Sequence, residues 1–132
     1  MIGVDTNVLL RLFVNDDEAQ HKAAKGFFAK RTSGEPAFVS MIVVVEVTWA
    51  LTKRYGYSQN ELLDPLDALG SSPDFVVENT HLLERAIEQC RTARGRLTDV
   101  LVALVAESSG CSSTVTFDRD AAKGIHGMEL LR

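Results

Sequence analysis

The sequence predicts an α/β fold built on a central, mainly parallel sheet with helices on both faces. Two observations predict it. Short apolar, β-branched runs alternate with longer segments of helical periodicity from one end of the chain to the other. Successive runs are separated by helices, which implies parallel pairing through right-handed crossovers and helices packed on the sheet. No internal repeat, low-complexity tract or linker interrupts the 132 residues, so 1–132 reads as a single domain, long enough to bury a core without disulfide staples.

The elements follow in order. Ile2–Val4 is a first short strand, and Thr6–Val14 a helix with Leu9, Leu10 and Phe13 at helical spacing. Asn15-Asp16-Asp17 opens a second helix that runs through Lys30 and ends at Ser33-Gly34. Ala37–Val39 is the second strand. Ser40 is a good N-cap for a helix reaching about Arg54 and closed by Tyr55-Gly56. Ser58 caps a further helix through Leu69, Phe75–Val77 is the third strand, and a helix spans Thr80 to Thr92. Arg94-Gly95-Arg96 is a turn, after which Thr98 caps a helix to Ser109 that Gly110 stops. Ser113–Phe117 is a strand, Asp118–Lys123 a short helix, and Met128–Leu131 a last strand.

Composition narrows the function classes. Hydrophobic residues make up 45% and charged residues 24%, ordinary values for a water-soluble domain. No apolar stretch is long enough to span a bilayer, and Met1-Ile2-Gly3-Val4-Asp5 reads as a strand rather than a signal peptide. Cys90 and Cys111 form neither a disulfide framework nor a zinc-spacing pattern and are expected to be reduced core or helix-face residues, which points to the cytoplasm and away from any membrane. The net charge of -4 argues against a simple basic nucleic-acid binder, unless bound cations reverse the local charge of its acids. Two basic clusters stand out. Lys22, Lys25, Lys30 and Arg31 read as a solvated helix face, whereas Arg91, Arg94 and Arg96 lead directly into Asp99 and are expected to face phosphate. Phe27, Phe28, Leu62 and Leu66 either pack into the core or form an apolar docking groove.

Four acids carry the chemistry. Sites in open parallel sheets lie beyond the carboxyl ends of the strands. Asp5 directly follows the first strand, Asp118 directly follows the strand ending at Phe117, and Asp99 sits in the first turn of its helix. Each also has a structural role open to it, as an N-cap or as an offset to the helix dipole. Glu46 lies in Met41–Leu51, a segment apolar around nearly its whole circumference and therefore expected to be buried. A carboxylate there must be paired, protonated or bound to metal. Four converging carboxylates would repel one another without cations, and Mg²⁺ or Mn²⁺ prefers such hard oxygen ligands. His21, His81 and His126 have no partner pattern, so no Ser-His-Asp or Cys-His arrangement competes, and no Walker-type glycine loop is present.

Ile2-Gly3-Val4-Asp5-Thr6-Asn7-Val8-Leu9, Ser40…Val45-Glu46-Val47, Leu97-Thr98-Asp99-Val100-Leu101-Val102-Ala103 and Thr114-Val115-Thr116-Phe117-Asp118-Arg119-Asp120 stand in that order along the chain. In these motifs the sequence resembles the PIN-domain family, and most closely its VapC-type toxins of bacterial toxin–antitoxin pairs. The resemblance implies a three-layer α/β/α sandwich and a metal-dependent endoribonuclease. It implies an RNA substrate, a homodimer and inhibition by a cognate antitoxin. Carried onto matching positions, Asp5, Glu46, Asp99 and Asp118 are the catalytic acids, with Mg²⁺ or Mn²⁺ held by Asp5, Asp99 and Asp118. On the same resemblance Thr6 and Asn7 are supporting or substrate-facing polar groups, Thr116 orients Asp118 or a metal-bound water, and Asp120 is an additional acid; Arg94 and Arg96, by their charge, are expected to guide the RNA backbone. Thr98 stands where the family often has Ala or Ser.

Two rivals remain at this level. A phosphatase of the haloacid dehalogenase type also opens with Asp after a first strand, but Asn7 stands where its second Asp is required. A non-catalytic metal-binding PIN or receiver-like interaction module would use the same acids without turnover.

Overall fold

The computed structural model describes residues 1–93 and 95–132, so the expectations for Arg94 lie outside the described residues. The elements run β1 (Ile2–Gly3), α1 (Thr6–Phe13), α2 (Glu18–Ala29), β2 (Ala37–Val39), α3 (Met41–Lys53), α4 (Gln59–Ser71), β3 (Phe75–Val77), α5 (Thr80–Thr92), α6 (Leu97–Ser108), β4 (Thr114–Thr116), α7 (Arg119–Gly124) and β5 (Met128–Leu130). The chain is an α/β sandwich in which β1 pairs with β2, β2 with β3 and β4 with β5, each in parallel.

Local chemistry explains most boundaries. Asp17 opens α2 by accepting the Gln20 N–H at 3.0 Å, and Ser40 opens α3 by accepting the Val43 N–H at 3.2 Å. Ser58 and Glu61 form a reciprocal capping box at the start of α4. These bonds, with the Ser58 backbone N–H foremost, hold the Glu61 carboxyl below its ordinary range. Gly56 after α3 and Gly110 after α6 adopt φ of 71° and 93°, left-handed values that a side chain would oppose.

The start of α6 differs from expectation. Its N-cap is Arg96, which makes no side-chain cap, and Thr98 lies inside the helix. The otherwise unpaired donor is satisfied from a neighbouring helix instead: the Leu97 N–H donates to Gln59 Oε1 of α4 at 2.8 Å.

The strands form two hydrogen-bonded units among the described residues, not one continuous sheet. β1, β2 and β3 pair in that spatial order, with Ile2 opposite Ala37 and Ala37 opposite Phe75. β4 and β5 form the second unit, with Thr114 opposite Met128. The core lies between sheet and helices and contains Leu9, Leu10, Val39, Val44, Val47, Leu51, Leu62, Leu66, Leu83 and Leu101.

Phe28, Leu62 and Leu66 are therefore core residues and form no surface groove. Phe27 is half-buried, edge-on to Phe28, with the Arg31 guanidinium over its ring. Lys22, Lys25 and Lys30 are solvated, as expected. Cys90 packs against the core, where burial pushes its thiol up to about 11. Cys111 lies exposed beyond the end of α6, on neither core nor helix. No described helix is long and apolar enough to cross a membrane.

Candidate active site

The carboxyl ends of the parallel strands carry polar residues that begin the next helix. Asp5 stands at the N-cap of α1 with extended backbone, yet its side chain makes no capping hydrogen bond. Its carboxylate instead lines a cleft of about 420 Å³ with Thr6, Asn7 and Glu46. Thr6 Oγ1 donates to Glu46 Oε1 at 3.1 Å, which ties the first residue of α1 to the middle of α3. β2 sets the direction of α3 through its Ser40 cap, and Glu78, just beyond β3, accepts the Met41 N–H at 2.8 Å. Three strand ends thereby position the helix that presents Glu46.

Glu46 is exposed, which corrects the expectation of a buried carboxylate. The apolar circumference of α3 misleads because only one side enters the core: Val43, Val44, Val47, Thr48, Ala50 and Leu51 are buried. Ile42, Val45 and Trp49 are apolar but exposed, and they share the outer stripe with Glu46. Glu46 therefore needs no buried counter-ion, and its place in the cleft follows from helical register alone.

A second cleft, of about 550 Å³, holds the other acids. It is lined by Arg96, Asp99, Asp118, Asp120 and Lys123, among others. Asp99 is half-buried in the first turn of α6. Asp118 caps α7 by accepting the Ala121 N–H at 3.0 Å, and its own N–H donates to Thr116 Oγ1 at 3.1 Å. Gly95 helps to bring the two walls together: a Cβ there would meet Ile125 Cγ1 at 3.2 Å and Val100 Cγ2 at 3.3 Å. The absence of a side chain lets the end of α7 pack against the start of α6.

The four acids thus line two clefts, Asp5 and Glu46 one and Asp99 and Asp118 the other, where Asp120 adds a fifth carboxylate. Among the described residues, no group of three or more His, Cys, Asp and Glu lies close enough to enclose a metal by itself. Mg²⁺ is nevertheless commonly held by only one or two carboxylates, with waters and substrate phosphate oxygens completing its shell. The carboxylate and neutral oxygen donors of these clefts fit that requirement.

The chain matches the PIN domain family over residues 2–124. It belongs to that family. This PIN domain is also 26% identical over 117 residues to a VapC ribonuclease of Aquifex aeolicus (strain VF5), an alignment that spans 88% of this chain and 86% of the relative.

The structure also adds residues to the PIN domain's clefts that the sequence reading passed over. Trp49 and Arg54 line the cleft of Asp5 and Glu46, and Lys123 and Gln59 line that of Asp99 and Asp118. Trp49 was within reach of the sequence, since it follows Glu46 by three residues on one helix. Gln59 was not, because its partner lies on another element. Arg91 bonds Asp64 of α4 at 2.9 Å and lies 3.6 Å from Asp67, so it ties α5 to α4 and does not face the cleft; Arg96 does line it.

Proposed function

We propose that this chain is a divalent-metal-dependent endoribonuclease, the toxin of a type II toxin–antitoxin pair, acting on RNA in the cytoplasm. The observation that carries the reading is Asp5: it stands at a helix N-cap without capping, and shares a cleft with a Glu46 held by Thr6. The match to the PIN domain family and the likeness to a VapC ribonuclease support it.

In this proposal one or two Mg²⁺ or Mn²⁺ ions bind among Asp5, Asp99 and Asp118, with water and substrate phosphate oxygens completing each shell. Bound there, the ion would supply Lewis-acid polarisation of a phosphoryl oxygen, a lowered pKa for water and charge stabilisation of the leaving oxygen. The protein's own groups do the positioning. Glu46 accepts a hydrogen bond from the attacking water and draws off its proton, while Thr6 fixes the carboxylate that does so. The water oxygen bonds to phosphorus as the P–O3′ bond breaks, and the leaving O3′ takes up a proton from solvent, giving a 3′-hydroxyl and a 5′-phosphate. Thr116 holds the turn that aims Asp118, Asn7 offers a neutral oxygen beside Asp5, and Asp120 adds negative charge to the second cleft. Arg96 contacts the RNA backbone as a charge-assisted donor.

A homodimer and an inhibitory antitoxin belong to the same proposal. The exposed Val102 and Val105 of α6 are apolar surface that supports them, in place of Phe28, Leu62 and Leu66.

The test is cleavage of a mixed cellular RNA pool by purified protein, with Mg²⁺ or Mn²⁺, with EDTA, and with Asp5→Asn as control. Discrete fragments that require the cation and vanish in the variant are expected. Cleavage retained by well-folded Asp5→Asn protein would refute the assignment. One rival is a PIN scaffold that binds metal through the same acids without turnover. Calorimetric metal binding by protein that cleaves no RNA would select it.

A further inference from the structure

We propose that Trp49 is the stacking platform for a base of single-stranded RNA beside the scissile phosphate, and that Arg54 takes an adjacent phosphate. The inference rests on the ribonuclease reading above and adds the residues that seat the strand.

Trp49 is 56% exposed, although an indole is among the side chains that most favour burial. It stands three residues after Glu46 on α3, the spacing that sets two helical side chains next to each other on one face. Both line the cleft that also contains Asp5, Thr6, Asn7 and Arg54. The volume of this cleft, about 420 Å³, lies in the range of small-ligand sites, roughly 300–1,000 Å³.

The chemistry around the ring selects its occupant. The cores of protein–protein interfaces are depleted of charge, with aromatic residues among apolar neighbours. Trp49 instead lines a cleft that holds two carboxylates, two neutral polar side chains and a guanidinium. That set suits a nucleotide: the indole presents a face to the base, the cation meets a phosphate, and the acids lie where a cation-assisted phosphodiester would sit. Val45 lines the same cleft and extends its apolar floor. Stacking accepts any base, so Trp49 supplies affinity and register along the strand and leaves base preference to other contacts.

Trp49 is the single tryptophan of the chain, so its emission reports on this position alone. A short fluorescein-labelled single-stranded RNA would be titrated in EDTA, following label anisotropy and Trp emission together. Steady-state cleavage with Mg²⁺ would then compare wild type, Trp49→Ala and Trp49→Phe. The expected results are quenching that tracks the anisotropy curve, a KM about tenfold higher in Trp49→Ala, and recovery of most of that loss in Trp49→Phe. Saturable anisotropy with unchanged Trp emission, or a wild-type KM in Trp49→Ala, would overturn the proposal while leaving the nuclease reading intact. So would a Trp49→Ala protein whose sedimentation shows a changed oligomeric state at unchanged RNA affinity, since the ring would then cover a second copy. Absence of both RNA binding and cleavage in the wild type would remove the nuclease reading and this inference together.

Discussion

Replacing Thr6 with Val tests whether Glu46 acts through its orientation. The substitution keeps the branched shape at the start of α1 and removes one hydroxyl, the donor to Glu46 Oε1 at 3.1 Å. Glu46 is exposed and Thr6 half-buried, so water can reach the carboxylate that loses its donor. The loss is then that of an ordinary hydrogen bond, about 1 kcal/mol, and not the larger penalty of a buried orphan. At about 1.4 kcal/mol per factor of ten, that corresponds to about a fivefold fall in kcat/KM. The same bond counts toward folding, so although the cap position is Asp5 and the new side chain fills the same space, Tm is expected to fall by about 3–5 °C. Glu46→Gln removes the proton acceptor itself and should lower kcat/KM about a hundredfold or more. Since Thr6 acts only through Glu46, the double variant should be no slower than Glu46→Gln alone. The assay is initial-rate cleavage of a single RNA under saturating Mg²⁺. A Thr6→Val protein within about twofold of wild type, or a double variant whose loss is the product of the two singles, would refute the reasoning.

Two further predictions concern carboxylates with other duties. Asp118 both caps α7 and stands in the second cleft, so Asn and Ala should separate the roles. Asp118→Asn is expected to lose cleavage at unchanged Tm, while Asp118→Ala should lose cleavage and about 1 kcal/mol of stability by denaturant titration; equal stability in both would remove the cap from the account. Asp16 accepts a hydrogen bond from the Tyr55 hydroxyl and pairs with Arg11, and these contacts, Tyr55 foremost, hold its carboxyl below the ordinary value of 3.8. A depressed carboxyl stabilises fully above that unfolded value, and the contribution fades as pH falls through the lower folded one. The Tm difference between wild type and Asp16→Asn should accordingly be largest near neutrality and shrink below about pH 4, and a difference that stays constant through the acid range would contradict it.

Much of this architecture was legible in the sequence because local chemistry determines it. Ser40, Ser58, Asp17 and Gly110 mark element ends by groups that act within their own turn, so their roles follow from their neighbours alone. Asp5, Asp99 and Asp118 came to strand ends and a first helical turn by the same logic. The failures share a different cause. The burial of Glu46 was misjudged because an apolar residue facing a cleft has the same hydropathy as one facing the core, and Trp49 was overlooked for that reason. Gln59 capping α6 and Arg91 pairing with Asp64 depend on which helices lie side by side, which periodicity does not encode. The break between β3-β2-β1 and β4-β5 likewise depends on strand edges meeting in space, and short apolar runs carry no label for their partners.

The pairings recorded in the two strand units have a consequence for the order in which the protein comes together. β1 must find β2, and β2 must find β3, across closures of roughly 35 residues each, whereas β4 and β5 close over roughly 14. The small β4–β5 unit therefore faces the lower entropic barrier, yet it is synthesised after the three-stranded one. A growing chain displays Asp5 and Glu46 long before Asp99 and Asp118 exist. With its acids spread from position 5 to position 118, no nascent chain holds a complete set before residue 118 has been added.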